Sequence, residues 1–92
     1  MAVKILIPGP MRQHTGGLAV VEAQGATVQE VLVDLSSKHA AITGRLFDGK
    51  NVRRFINVYL NNEDIRYLQN LATPTKDGDE LAIIPAVAGG SQ

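Results

Sequence analysis

The chain has 92 residues, nine Lys and Arg against nine Asp and Glu, and neither Cys nor Trp. Such a length fits one domain of ordinary size, about 100–150 residues. A neutral chain lacks the basic excess that holds nucleic acid, and a Cys-free chain excludes disulfides, thiolate metal ligands and a Cys nucleophile. No apolar run approaches the roughly 20 residues of a membrane span, and the apolar start is too short for a signal peptide, so we expect a cytoplasmic domain that contacts neither nucleic acid nor membrane.

The N-terminal part of the chain predicts a β-hairpin. Residues 2–7 are apolar and β-branched, which favours a strand that ends at Pro8. A Pro/Gly loop then extends to Gly17, and the apolar stretch 18–23 is expected to pair back on the first strand. Alternation places Val3, Ile5 and Ile7 on one face of the first strand and Lys4 and Leu6 on the other.

The next segment changes to a helical period. Thr27 and Glu30 match a capping box, in which their side chains bind amides at the start of a helix. Apolar residues then recur at i, i+3, i+4 and i+7, the spacing of one amphipathic stripe. A short second helical turn is predicted around residues 42–47, ended by Asp48 and Gly49. The predicted stripe consists of Val28, Val31, Leu32 and Leu35.

The second half of the chain predicts further strands separated by turns. Residues 55–60 alternate again, with Ile56, Val58 and Leu60 as the expected core face. The order of elements is then β-β-α-β-(β)-β, an α+β layer pair with a helix on one face of the sheet. The remaining predictions are a turn at 61–64, a short strand at 65–67, a loop at 68–76, a turn at 77–79 and a last strand at 80–84.

No residue set in the sequence indicates catalysis or metal binding. The chain lacks phosphate-loop, dinucleotide, HExxH and GxSxG motifs. His14 and His39 stand apart from other metal-ligating residues. The paired carboxylates near Asp64 and Asp77 lie in predicted turns, where such side chains bind their own backbone. We therefore expect a protein that is not an enzyme and that holds no metal.

The C-terminal tail carries the feature that indicates chemistry. A free α-carboxylate is ionised at neutral pH and is a poor electrophile, so it reacts only after activation inside an enzyme. Such an active site admits a protein tail only if the tail lacks bulky side chains. Ala88 and Gly89 supply a thin tail, and Gly90 would supply the reactive carboxylate. The alternative is a frayed end without a function.

The sequence resembles the ubiquitin-like sulfur carriers of the ThiS/MoaD family, and within it the CysO-type carriers of cysteine biosynthesis. The resemblance implies a ubiquitin-like β-grasp fold, a mixed sheet with one main helix packed across it and the last strand parallel to the first. It implies a domain over residues 1–88 and a tail over 89–92. The segments that carry it are Arg12–Gly17, Arg54–Tyr59, Asn62–Arg66, Leu71–Thr73, Asp77–Asp79 and Ile84–Gly90.

The resemblance also implies a reaction cycle centred on Gly90. An E1-like adenylyltransferase would use ATP and Mg²⁺ to adenylate the Gly90 carboxylate, and a sulfur donor would convert the adenylate into a thiocarboxylate. The sulfur would attack an activated amino acid on a PLP-dependent enzyme resembling cysteine synthase. An acyl shift would leave cysteine on the tail, and a metallopeptidase would release it. The carrier itself would bind no cofactor.

The last two residues depart from the family pattern. Carriers act with Gly-Gly at the C-terminus, whereas Ser91 and Gln92 follow Gly90 here. As written, Gly90 has no free carboxylate. The resemblance implies removal of both residues by a zinc peptidase of the JAMM type, with the Gly90–Ser91 bond as the processing site. Without such removal the chain would not be a working carrier.

Strand alternation also predicts a partner-binding surface. Leu6 and Ile84 should face away from the helix, with Tyr59 beside them, and exposed apolar residues grouped in this way mark interaction sites. Arg53 and Arg54 are candidates for contact with an acidic partner. Other functions stay open at this point: sulfur transfer for molybdopterin or thiamine synthesis, conjugation to lysines as a protein modifier, or a plain interaction module with an inert tail.

Overall fold

The computed structural model describes residues 2–49 and 51–85, which form a sheet with one main helix across one face. No helix in these two ranges has the length and apolarity needed to cross a bilayer. Short 3₁₀ helices lie at Gly9–Thr15, Ala40–Ile42, Ile65–Tyr67 and Asn70–Ala72. The strands are β1 Ala2–Leu6, β2 Val20–Gln24, β3 Phe47–Asp48, β4 Asn51–Val52, β5 Ile56–Leu60, β6 Glu63–Asp64 and β7 Glu80–Pro85, and the helices are α1 Val28–Lys38 and α2 Thr43–Leu46.

The order of strands in the main sheet is β2-β1-β7-β5-β6. β1 and β2 form the predicted antiparallel hairpin, and β7 lies parallel to β1. On its other side β7 pairs with β5 in antiparallel orientation. The parallel placement of the last strand beside the first, which the resemblance implied, is therefore confirmed. It makes β7 the central strand of the five.

Helix α1 begins and packs as its sequence predicts. The Thr27 hydroxyl accepts a hydrogen bond from the Glu30 backbone N–H at 3.2 Å, and the Glu30 carboxylate accepts one from the Ala26 N–H at 2.9 Å. The apolar stripe of α1 is fully buried against the sheet. Removal of such side chains from water is the main stabilising contribution to a domain of this size. The buried partners on the strands are Val3, Ile5, Val21, Ala23, Val58, Leu81 and Ile83.

Two short elements differ from the prediction. The segment 65–67 is a 3₁₀ turn rather than a strand, because the Asp64 carboxylate accepts the Arg66 backbone N–H at 2.9 Å and closes the chain into a turn. The short edge strand is instead β6, which pairs with the end of β5. A small hairpin of β3 and β4, absent from the prediction, surrounds Gly49. Ile56, predicted in the core, is half-buried at the start of β5.

Gly25 allows β2 and α1 to approach each other closely. A Cβ atom built on Gly25 would lie 2.6 Å from the backbone nitrogen of Val31 and 2.7 Å from the Glu30 Cβ. On the other side, Thr75 donates its hydroxyl hydrogen to the Gly25 carbonyl at 3.0 Å and its backbone N–H to the Ala26 carbonyl at 2.9 Å. The connection is thus held between the helix and the loop before β7, so it has no room to move away from α1.

An ion pair on α1 covers the outer edge of β2. Asp34 and Lys38 are one turn apart, with 3.0 Å between the Asp34 Oδ2 and the Lys38 Nζ. Asp34 accepts the Gln24 backbone N–H at 2.7 Å, and Lys38 donates to the Glu22 carbonyl at 3.3 Å. These bonds occupy edge groups that would otherwise be open to another strand. The Gln24 N–H, together with Lys38, holds the pKa of Asp34 below its ordinary value.

Replacement of Asp34 by asparagine is expected to lower the melting temperature near neutral pH by about 2–4 °C, the effect of a weak surface ion pair in a small domain. Because folding lowers the pKa of Asp34, its stabilisation is present above the unfolded aspartate pKa of about 3.9. It is lost as the pH falls through the lower pKa of the folded state. Thermal unfolding followed by circular dichroism should therefore show the two proteins converging in acid.

The matched control is Glu63→Gln, which removes an exposed carboxylate on the far edge of the sheet. Its melting temperature should follow that of the parent at every pH. An Asp34→Asn difference that stays constant between neutral and strongly acidic pH would contradict the role of the charge.

Candidate functional site

The C-terminal tail leaves the sheet from its central strand. The last described residues of β7 are tied to the start of β5, with Ile84 opposite Asn57 and Pro85 opposite Ile56. Seven residues follow Pro85 in the sequence. The tail predictions, Ala88 and Gly89 for threading, Gly90 for the thiocarboxylate and the Gly90–Ser91 bond for processing, lie outside the described residues. The structure therefore fixes the point from which the tail starts.

An apolar surface lies on the sheet face opposite α1. Strand register aligns four side chains in one row, because Leu6 of β1 is opposite both Val20 of β2 and Ala82 of β7, and Ala82 is opposite Tyr59 of β5. Ile84 continues the row toward the end of β7. We call these five residues, Leu6, Val20, Tyr59, Ala82 and Ile84, the apolar sheet face.

Side-chain exposure agrees with this alternation. Val3, Ile5 and Ile7 are buried against the helix layer, whereas Leu6 is half-buried on the opposite face. Ile84 is 42% exposed and Val20 is 47% exposed. Apolar side chains grouped on one face of a small domain are typical of a contact surface.

The three residues selected from the sequence, Leu6, Tyr59 and Ile84, thus lie on one surface. Val20 and Ala82 belong to it as well, and the sequence analysis missed them. Alternation along β2 could have identified Val20, because Val21 and Ala23 are its buried neighbours in the pattern. Whether the five residues bind a partner remains a prediction.

A row of charges borders the apolar sheet face on the side away from the tail. Lys4 of β1 is opposite Glu22 of β2 and Glu80 of β7. Opposite charges that face each other across strands stabilise a sheet modestly, and they keep this end of the face polar. The apolar sheet face therefore opens toward the tail exit rather than toward the opposite end of the strands.

Arg53 and Arg54 lie just before β5, at the end of the sheet from which the tail leaves. The turn that carries them is closed by the Ile56 N–H, which donates to the Arg53 carbonyl at 2.9 Å. Arg53 donates its Nε–H to the Gly44 carbonyl at 2.7 Å. The Arg54 guanidinium carbon lies 5.8 Å from the centre of the Phe55 ring, within the range of a cation–π contact. Both arginines are exposed.

A cleft of about 310 Å³ connects these arginines with Arg66. Arg66 forms a bidentate ion pair with the buried Asp64, with 2.7 Å between its Nη2 and the Asp64 Oδ2. The side-chain hydrogen bonds from Arg66 lower the pKa of Asp64. The sequence analysis assigned no binding role to Arg66, which it placed in a short strand at 65–67, whereas the structure brings it to the cleft in a 3₁₀ turn. Also lining the cleft are Asn51, Val52, Ile56, Asn57, Val58, Ile65, Asn70 and Leu71.

The described residues do not assemble a metal-binding cluster. Within residues 2–49 and 51–85, no group of three His, Cys, Asp or Glu side chains could hold a metal ion. His14 and His39 are half-buried in separate segments, near the first loop and at the end of α1. What the described residues offer is an apolar face, a basic cleft and a firmly anchored starting point for the tail.

Comparison with known proteins agrees with this architecture. The family model described as the ThiS family matches residues 5–90. The sulfur carrier protein CysO of Mycobacterium tuberculosis is 44% identical over 93 aligned residues, which cover 98% of this chain and 100% of the relative. Small archaeal modifier protein 3 of Haloferax volcanii is 37% identical over 65 residues, 71% of each chain.

Solved structures show the same fold. A chain of the crystal structure of the Amycolatopsis orientalis BexX/CysO complex is 52% identical, with a TM-score of 0.89, and the match covers 96% of this chain and 99% of that one. SAMP1 of Haloferax volcanii is 30% identical with a TM-score of 0.84, over 98% of this chain and 100% of that one.

The sheet order, the crossing helix and these neighbours define a ubiquitin-like β-grasp protein. Within that class the chain belongs to the ThiS family, whose model spans the sheet and extends into the tail as far as Gly90.

Proposed function

We propose that the protein is a sulfur carrier for the biosynthesis of cysteine or a related amino acid. The observation that carries the proposal is a Gly-Gly pair on a tail that leaves the central strand beside an apolar face. The 44% identity to CysO over the full length of that carrier supports it. In this proposal the domain acts as a substrate of other enzymes, which adenylate, sulfurate and cleave its tail.

Activation requires a free carboxylate at Gly90. A JAMM-type metallopeptidase first hydrolyses the Gly90–Ser91 bond and releases the dipeptide Ser-Gln. An E1-like adenylyltransferase with Mg²⁺ then joins the Gly90 carboxylate to the α-phosphate of ATP, and pyrophosphate leaves. A sulfur donor that delivers sulfide attacks the acyl carbon, AMP leaves, and the product is a thiocarboxylate. The reacting groups of ATP and Mg²⁺ belong to the activating enzyme.

The thiocarboxylate then donates its sulfur. Sulfur is the better nucleophile of its two heteroatoms, so on a PLP-dependent enzyme it forms a bond to the β-carbon of an amino acid whose β-hydroxyl has been activated, and the activated oxygen group leaves with the electrons of the broken C–O bond. The resulting thioester rearranges to an amide as the amino group attacks the acyl carbon. Hydrolysis of that amide by a metallopeptidase releases cysteine and regenerates the Gly90 carboxylate. The carrier contributes the tail and the surface that each enzyme recognises.

The apolar sheet face is the proposed contact with the activating enzyme. It is next to the tail exit, so an enzyme bound there would receive the tail directly. A relative of this chain has been crystallised in the BexX/CysO complex, which supports recognition of the domain by a partner protein. Binding to a fixed surface also reduces the entropy cost of bringing the reacting end of the chain into an active site.

The proposal is tested by comparing the full chain with a truncated chain that ends at Gly90. Both are incubated with the organism's E1-like enzyme, ATP, Mg²⁺ and sulfide, and intact masses are recorded. The truncated chain should gain the mass of one oxygen-to-sulfur exchange, and the full chain should stay unchanged. The control is a third chain that ends at Gly89. Equal conversion of the Gly89 and Gly90 chains, or no conversion of any chain, would refute the proposal.

A second function, conjugation to proteins, has one observation in its favour. The relative from Haloferax volcanii is a small archaeal modifier protein. If this chain also acts in that way, the Gly90 chain should form higher-mass adducts on lysines that survive a denaturing gel. Sulfur transfer to molybdopterin or thiamine precursors would use the same thiocarboxylate. The identity of the sulfur-labelled small molecule in a cell extract separates these outcomes.

A further inference from the structure

The cleft beside β5 combines a basic rim with an apolar floor. Three arginines line it, Arg53, Arg54 and Arg66, and Asp64 is its single carboxylate. The cleft thus carries an excess of two positive charges in a chain whose overall charge is zero. The apolar part of its lining consists of Val52, Ile56, Val58, Ile65 and Leu71.

The Asp64 carboxylate is already fully engaged. It accepts the Arg66 backbone N–H and the Arg66 guanidinium in the bidentate pair described above. Among residues 2–49 and 51–85 the ion pairs are Arg66–Asp64 and Lys38–Asp34, so neither Arg53 nor Arg54 is neutralised by a described carboxylate. Arg53 donates to a neutral carbonyl, which leaves its charge in place.

The position of the cleft relates it to the tail. Ile56 and Asn57 line the cleft and are also the residues paired with Pro85 and Ile84 at the end of β7. Asn57 is on the outer face opposite Ile84, whereas Ile56 and Val58 alternate to the helix side of β5, so the cleft lies on that side at the end where the tail leaves. A partner that binds the apolar sheet face and also reaches around β5 at the tail exit would meet the exposed Arg53 and Arg54 of the cleft.

We propose that the cleft binds an acidic, partly apolar peptide segment of the activating enzyme, with Arg53 and Arg54 contacting its carboxylates. This inference rests on the proposed function for the identity of the partner. The volume of about 310 Å³ and the apolar floor suit one or two aliphatic side chains between the acidic ones. The asparagine amides of Asn51, Asn57 and Asn70 can donate hydrogen bonds to the carboxylates or backbone of such a segment.

A peptide explains the lining better than an isolated phosphate does. Phosphate sites are built from converging backbone N–H groups and charges with little apolar surface. Here the three arginines are exposed, and the buried part of the lining combines Val58 and Ile65 with Asp64, whose charge is already paired with Arg66. Electrostatic attraction at such a rim mainly speeds association and selects the partner, and it weakens with salt.

The first test uses the carrier alone with short peptides, and it is independent of sulfur chemistry. The amides of the ¹⁵N-labelled protein are followed by NMR as acetyl-Glu-Leu-Glu-Leu-amide is added, with acetyl-Lys-Leu-Lys-Leu-amide and inorganic phosphate as comparison probes. The acidic peptide should shift the side-chain amides of Asn51, Asn57 and Asn70, and added salt should reverse the shifts. Equal shifts with phosphate, or shifts confined to other surfaces, would overturn the proposal.

The second test measures the partner itself. In pyrophosphate exchange by the E1-like enzyme, Arg54→Glu in the Gly90 chain should raise the KM for the carrier about tenfold with little change in kcat, as loss of a rim charge does. The matched control is Arg45→Glu, an exposed arginine on α2 that does not line the cleft. Circular dichroism checks that both variants fold.

The outcomes separate the two proposals. If the parent Gly90 chain supports exchange and Arg54→Glu matches it, the cleft proposal is wrong and the carrier function stands. Equal increases in KM for Arg54→Glu and Arg45→Glu would also refute the cleft proposal, because they would show that the enzyme responds to the overall charge of the carrier rather than to a charge at the cleft. If the parent supports no exchange, the proposed function fails, and the peptide titration alone decides whether the cleft binds acidic segments.

Discussion

Replacement of Gly25 by alanine is expected to lower the free energy of unfolding by about 3 kcal/mol, at the upper end of the usual cost of overpacking. The added Cβ would meet the backbone nitrogen of Val31 at 2.6 Å, a distance that real Cβ atoms do not adopt. A flexible side chain could move aside, but this contact is with the backbone of α1. Hydrogen bonds from Thr75 hold the other side of the connection, so the strain must displace the helix from the sheet.

Urea denaturation monitored by circular dichroism measures this loss. Gly44→Ala is the matched control, since Gly44 lies in α2 and an added Cβ there meets nothing within 4 Å. That substitution should be neutral or slightly stabilising, because alanine favours a helix over glycine by up to about 1 kcal/mol. If both variants unfolded at the same urea concentration, the close approach of β2 and α1 would not limit stability.

Replacement of Ile84 by glutamate is expected to raise the KM of the Gly90 chain in pyrophosphate exchange by about 30-fold or more, the effect of losing a central interface residue. Ile84 is 42% exposed, so the change buries no charge in the free carrier. In the complex it would place a carboxylate against the partner's apolar surface without a counter-charge, which is costly. Steady-state exchange at several carrier concentrations gives KM and kcat separately.

Val33→Glu provides the comparison for Ile84. Val33 is 53% exposed on the outer side of α1. Its replacement by glutamate therefore also exchanges an exposed aliphatic side chain for a carboxylate, but on a different surface. We expect an unchanged KM for Val33→Glu, and a KM close to that of the parent for the conservative Ile84→Val. A parent-like KM for Ile84→Glu would exclude the apolar sheet face as the docking surface.

Local patterns in the sequence predicted the elements that are formed by short-range hydrogen bonds or that have a strongly periodic placement of apolar residues. The helix with its Thr27 cap and the hairpin of β1 and β2 needed no tertiary information, because capping and alternation are read within a few residues. The predicted strand at 65–67 was wrong because a single side chain, Asp64, bonds to the backbone two residues later and closes a 3₁₀ turn. Elements of two or three residues are decided by such bonds rather than by propensity.

The order of strands could not be derived from periodicity. The parallel pairing of β1 with β7 joins residues about 75 positions apart, and no local pattern encodes that contact. It was available from the family resemblance. The same holds for the site: alternation identifies single outward-facing residues such as Leu6, Val20 and Ile84, but the registers were needed to show that they lie side by side with Ala82 and Tyr59. Arg66 reaches the cleft because the segment predicted as a strand is a 3₁₀ turn closed by Asp64.

The central position of β7 has a mechanical consequence. A pull on the C-terminal end loads β7 along its own axis, with β1 on one side and β5 on the other. The hydrogen bonds that join β7 to β1 and to β5 lie across that axis. The load is therefore shared by the bonds of both strand pairs at once, and the bonds do not open one after another. An enzyme that draws the tail into its active site can therefore exert traction on the chain while the domain stays intact. A machine that unfolds proteins from the C-terminus would have to separate β7 from both of its neighbours at once.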